Sequence, residues 1–180
     1  MVEIGMISLM GPWILFCDEM GTCESEGAMI MIRKIEQRDE RRWRELWDGY
    51  TRFYEREPVE EITRHLWKRI HNPTSPVYAI VAEESGEVVG IANYLIHDST
   101  SLLKPVCYLQ DLFVDPERRG GGAGRMLIDW LINEMKSQGW SRLYWNTKEN
   151  NYRARSLYDT YTPHSGFLRY VIDNKSEANG

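Results

Sequence analysis

At 180 residues, 42% of them hydrophobic, the chain is long enough for one domain with a real core and too apolar for a disordered one. A formal net charge of −5 argues against nucleic acid as the main ligand, which needs a basic face, and agrees with a cationic small molecule or a basic protein tail. Three cysteines, Cys17, Cys23 and Cys107, are odd in number and lack metal-ligand spacing; they read as reduced thiols of a cytoplasmic protein, with no disulfide framework and no metal site.

Residues 1–28 differ from the rest. An apolar patch from Ile4 to Cys17, broken at Gly11-Pro12, is too short to span a bilayer, and no basic region precedes it as in a secretory signal. The segment is expected to be an appendage: either an over-extended start, with Met29 or Met31 as the true beginning, or an arm packed on the domain or a partner. The domain proper is expected over 29–173, followed by a disordered tail, 174–180.

Met29–Glu36 is rich in apolar and β-branched residues and predicts a strand. Trp43, Leu46, Trp47, Tyr50 and Tyr54 then recur at helical spacing, with Pro58 as the stop. Val59, Ile62, Leu66, Trp67 and Ile70 repeat the pattern up to Asn72-Pro73. The Glu84-Ser85-Gly86-Glu87 turn separates two apolar strands, a hairpin signal. Val106–Val114 predicts a strand. Leu127, Ile128, Leu131, Ile132 and Met135 predict a helix closed by Gly139. Ser141–Thr147 is a further strand, Asn150–Tyr161 a helix with Ala154, Leu157, Tyr158 and Tyr161 on one face, and Gly166–Asp173 a closing strand. The order is β-α-α-β-β-β-α-β-α-β. It predicts an α/β (α+β) domain with a mixed, mostly antiparallel sheet of six to seven strands and helices on both faces.

Between the strand ending at Val114 and the helix beginning near Gly122–Ala123 stand four glycines, Gly120, Gly121, Gly122 and Gly124, flanked by Arg119 and Arg125. A helix start leaves N–H groups without partners and carries about half a positive charge. Glycines let a pyrophosphate approach those groups, and the arginines can add charge-assisted bonds. A flexible solvent loop would have the same composition. The ending required of a Walker loop and the spacing of a dinucleotide fold are both absent.

The run Arg119-Gly-Gly-Gly-Ala-Gly124, directly after LFVDPER, resembles the acetyl-coenzyme A signature of the GNAT N-acetyltransferase superfamily. NYRARSLYDTY is similar to that family's Asn-x-x-Ala-x-x-Leu/Phe-Tyr pattern, with Asn151, Ala154, Leu157 and Tyr158 filling the positions. CYLQDLFVDP, YTRFYE and GFLRYVID resemble segments of the histone/polyamine (spermidine/spermine-like) acetyltransferase branch. The likeness extends from Ile30 to Asp173.

The resemblance implies acetyl-CoA as co-substrate, a GNAT fold and often a homodimer. Arg119, Gly120, Gly121, Gly122, Ala123, Gly124 and Arg125 would hold the pyrophosphate. Leu112, Phe113 and Val114 would pair with the pantetheine arm, a main-chain N–H near Phe113–Val114 would hold the oxyanion, and Asn151 would contact the cofactor. Tyr158 would be the catalytic acid for the leaving thiolate. Where polyamine enzymes often carry a glutamate base, this chain has Gln110, which cannot act as one. Asp111, Tyr108 or a nearby glutamate stays open for that part, with Asp111 also a candidate to hold the acceptor. In an alternating strand Gln110 and Asp111 face opposite ways unless a bulge intervenes.

The expected reaction is direct transfer to a primary amine of a small cationic molecule or basic peptide, with no nucleic acid or membrane as partner. Tyr50 and Tyr54 are expected to line the acceptor pocket. Glu55, Glu57, Glu60 and Glu61 form either an acidic wall or a solvated helix start. The alternative function is a catalytically silent acyl-CoA-binding module, against which the intact Asn151 and Tyr158 speak.

Overall fold

The computed structural model describes residues 29–174. The expected appendage, 1–28, and the tail from 175 onward lie outside the described residues. The elements are β1 (Ile30–Lys34), α1 (Glu40–Phe53), α2 (Glu60–Ile70), β2 (Val77–Glu84), β3 (Glu87–His97), β4 (Val106–Val114), α3 (Ala123–Gln138), β5 (Arg142–Trp145) and α4 (Tyr152–Tyr158). The strands stand side by side in chain order. β1 to β4 pair antiparallel, and β5 joins β4 in parallel after the α3 crossover. Ser85 and Gly86, with φ of 52° and 82°, turn β2 into β3 with the twist that a two-residue hairpin prefers.

Helical periodicity decides what each sheet face meets. On one side Trp43, Leu46, Trp47 and Tyr50 of α1 join Trp67 of α2 over Val81, Ile91 and Phe113. Trp43 is fully buried, its ring centroid 5.0 Å from that of Trp67. On the other side Leu127, Ile128 and Leu131 of α3 are fully buried against Ile80, Ala82, Val89, Ala92, Cys107 and Leu109. Burying each large apolar side chain contributes roughly 1.5–3 kcal/mol, which fixes both helical layers against one sheet.

Two expectations are corrected, and one open condition is met. The sheet among the described residues has five strands, not six to seven, because Gly166–Asp173 joins none of them. Alternation marks a segment able to pair; it does not supply the partner. The first helix ends at Phe53 rather than at Pro58: Glu55 turns to φ 59°, and the Glu55 and Arg56 N–H groups donate back to the Arg52 and Thr51 carbonyls at 2.9 and 3.2 Å. β4 is not a simple alternating strand. Asn93 faces Asp111 while Tyr94 faces Leu109, so Gln110 is an extra residue in a bulge.

Candidate active site

β5 accompanies β4 only from Val106 to Leu109, where Leu109 meets Trp145. From Gln110 onward β4 runs on with β3 alone, and the sheet opens on the other side. Leu112, Phe113 and Val114 border that opening. An extended chain laid there could pair with their main-chain groups as an added strand does.

The loop after β4 supplies the next wall. The Asp115 carboxylate accepts from the Glu117 N–H at 3.0 Å and starts a short 3-10 turn over Pro116–Arg118. Gly120 and Gly122 then take φ of 98° and 90°, where an L side chain is strained, and Gly122 is the N-cap of α3. The first amides of α3, from Ala123 on, have no carbonyl one turn back to bond. The first main-chain bond there runs from the Met126 N–H to the Gly122 carbonyl, 3.0 Å.

This loop, β4 and α4 enclose a cleft of about 390 Å³, within the range of small-molecule sites. Leu112, Phe113, Val114, Arg119, Gly120, Gly122, Ala123, Gly124, Arg125, Asn151, Tyr158 and Tyr54 all line it. Gly121 does not; its nearest neighbour is Ile30, on the side of β1. Asn151 is the N-cap of α4. Its carbonyl oxygen accepts from the Ala154 N–H at 3.3 Å and its amide donates to Thr147 Oγ1 at 3.1 Å.

Charge in the cleft is positive. Arg119 donates from Nε to the Val114 carbonyl at 3.1 Å and lies over the Phe113 ring. Burial and the like charge of Arg153 hold its guanidinium below the ordinary arginine value. Such crowding is relieved by an anion, so the donor set fits a diphosphate. Arg125 stacks on Tyr161 and donates to Thr160 Oγ1 at 3.2 Å. Tyr158, also in the lining, packs against Trp145, with ring centroids 5.4 Å apart. Burial, with Tyr54 nearby, pushes its hydroxyl up to about 12, so the phenol is protonated throughout the neutral range.

Two expected acceptor residues lie elsewhere. Asp111 and Tyr50 are buried and do not border the cleft. The bulge turns Asp111 to the α1 side, where it accepts from Asn93 Nδ2 at 3.2 Å and lies against the Tyr50 hydroxyl. The same hydroxyl donates to the Gln110 carbonyl at 3.5 Å, and Trp43 Nε1 donates to Asn93 Oδ1 at 3.4 Å. Burial holds the Asp111 carboxyl above the usual carboxylate value, against the opposing bonds from Tyr50 and Asn93. Gln110 is the exposed member of the pair.

Two of the four acids, Glu55 and Glu60, stand in ion pairs. Glu60 binds Arg44 at 3.1 Å, and Glu55 lies 3.9 Å from Lys148, whose ammonium stands 5.5 Å from the Tyr54 ring centre. Cys107 sits in the α3-side core with its thiol pushed up to about 12 by burial, which leaves no thiolate for a covalent route. Among the described residues no cluster of three metal-capable side chains occurs, and no helix is long and apolar enough to cross a membrane.

Phe53, Arg153 and Ser156 also line the cleft and were missed. For Arg153 a signal existed. It stands two residues after Asn151, one turn ahead of Ser156 and Leu157 on the short helix that faces the glycine loop, so it shares their side of the helix.

Comparison with known proteins agrees with this geometry. Residues 40–161 match the model of the acetyltransferase (GNAT) family. A D-amino-acid N-acetyltransferase of Saccharomyces cerevisiae is 32% identical over 131 residues, 72% of this chain and 81% of the yeast protein. An uncharacterized N-acetyltransferase of Bacillus subtilis is 30% identical over 145 residues, 79% of this chain and 96% of that protein. A solved ribosomal-protein-alanine N-acetyltransferase from Brucella melitensis shares the fold at a TM-score of 0.67 and 21% identity, over 81% of this chain and 100% of that one. An aminoglycoside N-acetyltransferase in complex with CoA does so at 0.67 and 19%, over 83% and 97%.

Proposed function

The chain belongs to the acetyltransferase (GNAT) family, and from that membership we propose direct transfer of an acetyl group from acetyl-CoA to the primary amine of a small molecule. The observation that carries the reading is one continuous cleft. Its lining brings together uncovered helix amides, three arginines, Arg119, Arg125 and Arg153, and the Tyr158 phenol.

Acetyl-CoA supplies an activated carbonyl and a thiolate leaving group. The amides of Ala123, Gly124 and Arg125, with the arginines, bind its diphosphate. Leu112 to Val114 orient its extended arm through main-chain groups, and an N–H at Phe113–Val114 faces the carbonyl oxygen as negative charge develops there. Tyr158 donates to the sulfur. A thiol ionises near 8.5, well below the Tyr158 phenol, so this donor stabilises the departing charge by hydrogen bonding rather than by giving up its proton outright. Positioning the two reactants supplies up to ~7–11 kcal/mol of the barrier reduction. The amine attacks in its neutral form; as the C–N bond forms and the C–S bond breaks, its surplus proton passes to solvent at the open cleft and the CoA leaves as the thiolate. Asp111 is a positioning residue: it holds Tyr50 and does not meet the amine.

For the acceptor, two cations stand near the Tyr54 side: Lys148 over the Tyr54 ring, and Arg56, whose charge acts on both Asp111 and Tyr50. They suit an amine that also carries a carboxylate, an amino acid, and the yeast relative's name supports that class. A polyamine or basic peptide is the second reading, supported by the likeness of Cys107–Pro116 to the histone/polyamine branch; the pairing of Glu55 and Glu60 weakens it.

The test is release of free thiol from acetyl-CoA across D- and L-amino acids, polyamines, aminoglycosides and basic peptides. Turnover with an amino acid is expected. Tight acetyl-CoA binding with no thiol release from any amine would replace the enzyme by a silent acyl-CoA-binding module.

A further inference from the structure

On the α1 face of the sheet β4 and β5 present a tyrosine pair that the reaction described above does not use. The rings of Tyr108 and Tyr144 stack with centroids 4.9 Å apart. They are partners across the parallel register, while their neighbours Leu109 and Trp145 pack on the α3 side. Both hydroxyl ends are held. Asn146 Nδ2 donates to the Tyr108 oxygen at 3.2 Å, and the Tyr144 hydroxyl meets His97 Nε2 at 2.9 Å.

Counting protons separates the two hydroxyls. His97 Nδ1 lies 2.8 Å from the Asp98 carbonyl, which can only accept, so the neutral ring carries its proton on Nδ1 and accepts at Nε2. Tyr144 therefore donates to His97, and its proton is spent. Tyr108 accepts from an amide, and among the described residues no protein group receives its own proton. It is a half-buried hydroxyl, oriented by one bond, with its donor left for an atom from outside.

A chain of contacts joins this hydroxyl to the cleft. Tyr108 stands two residues before Gln110, whose carbonyl receives the Tyr50 hydroxyl at 3.5 Å. The Tyr50 ring lies 5.0 Å from that of Tyr54, which lines the cleft, and the Lys148 ammonium stands 5.5 Å from the Tyr54 ring centre. Asn146 and Lys148 leave β5 two residues apart, so one loop both orients the Tyr108 hydroxyl and brings the cation. The Glu55 carboxylate beside Lys148 is 3.9 Å away and 88% exposed, a pair that is easily exchanged for another anion.

We propose that Tyr108 and Lys148 recognise the carboxylate of the acceptor, Tyr108 by donating its hydroxyl proton and Lys148 by its charge, and that Asn146 positions Tyr108 for this. The proposal rests on the reading of the acceptor as an amino acid, and it names the residues that select one over a plain amine. A polyamine offers Tyr108 no acceptor atom once protonated and is repelled by Lys148; an amino acid satisfies both groups with one carboxylate and leaves its amine for the thioester.

The experiment measures thiol release from acetyl-CoA with alanine, leucine, methionine and phenylalanine, each as D and L forms, and with the amines that these become without their carboxylates. The readout is the ratio of kcat/KM for an amino acid to that for its matching amine. Wild type is expected to favour the amino acid. Tyr108→Phe keeps the ring and should lower the ratio about 10- to 100-fold through KM, the loss expected when a hydrogen bond to a charged group is removed. Asn146→Asp should lower it as well, because the new carboxylate takes the Tyr108 proton for itself. Tyr144→Phe loses a hydroxyl whose proton is already spent, and the ratio should hold. An unchanged ratio in Tyr108→Phe overturns the proposal, and so does an equal loss for amino acid and amine, which would make Tyr108 merely structural. No release from any amino acid, with turnover of another amine class, strikes the reading of the acceptor and this proposal together.

Discussion

Tyr158 and Asp111 are both buried, and burial raises both, yet the consequences for pH run differently. Tyr158 is needed protonated. With its hydroxyl near 12, Tyr158 stays protonated across the neutral range, so a rise in rate there belongs to deprotonation of the acceptor amine, and loss of the Tyr158 contribution comes only as pH rises toward that value. Tyr158→Phe should lower kcat about 10²-fold or more while the KM for acetyl-CoA changes little, and a wild-type rate would remove this phenol from the mechanism. Asp111 is a cost to the fold once ionised. The folded chain keeps a proton that the unfolded chain releases above about pH 3.9, so stability falls as pH rises through the window between the unfolded and the raised folded value. Asp111→Asn removes that fall. Its Tm should match wild type near pH 3 and exceed it at pH 7, by roughly 2–4 °C per kcal/mol gained. A lower Tm at pH 7 would mean that the carboxylate is a net stabiliser.

Among the elements, contact between α1 and β4 matters most for the cleft. Gly49, in the middle of α1, lies against Phe113, a residue that borders the site; a Cβ there would stand 2.9 Å from Phe113 Cε1. Replacing a mid-helix glycine by alanine ordinarily gains about 0.8–1.0 kcal/mol. Here the ring would have to move within a filled cluster, an overpacking that costs about 1–3 kcal/mol. Gly49→Ala should therefore fail to stabilise the protein in urea titration and should weaken acetyl-CoA binding; a more stable variant with unchanged affinity would show that Phe113 is free to shift. Nothing in the residue order announces this contact, because glycine mid-helix reads only as a weak position. The glycine loop is different. Its place between a strand and a helix, with arginines on both sides, was legible from Val114 to Arg125 because the signal is local. The bulge at Gln110 was legible only as a condition, since it depends on the register against Asn93 of a different strand.

At the scale of the whole molecule, elements from β1 to α4 followed from alternation, helical spacing and turn residues, all short-range signals. The closing strand did not, because strand formation needs an edge to pair with and that pairing is long-range. Net charge is a coarser guide. The total is −5, yet Arg119, Arg125 and Arg153 all line the cleft. A sum over the chain says nothing of where charge is placed. The account stands on the mouth of α3 holding a diphosphate, and calorimetric titration of acetyl-CoA into the wild type and Gly124→Asp tests that most directly. A Cβ at Gly124 would stand 3.6 Å from Leu157 and 3.7 Å from Val114, ordinary contact, so the variant should fold and differ by a carboxylate beside the bound phosphates. Saturable binding by the wild type and at least a ~100-fold loss in the variant, the equivalent of about 2.7 kcal/mol, is the predicted result; equal affinities would contradict it.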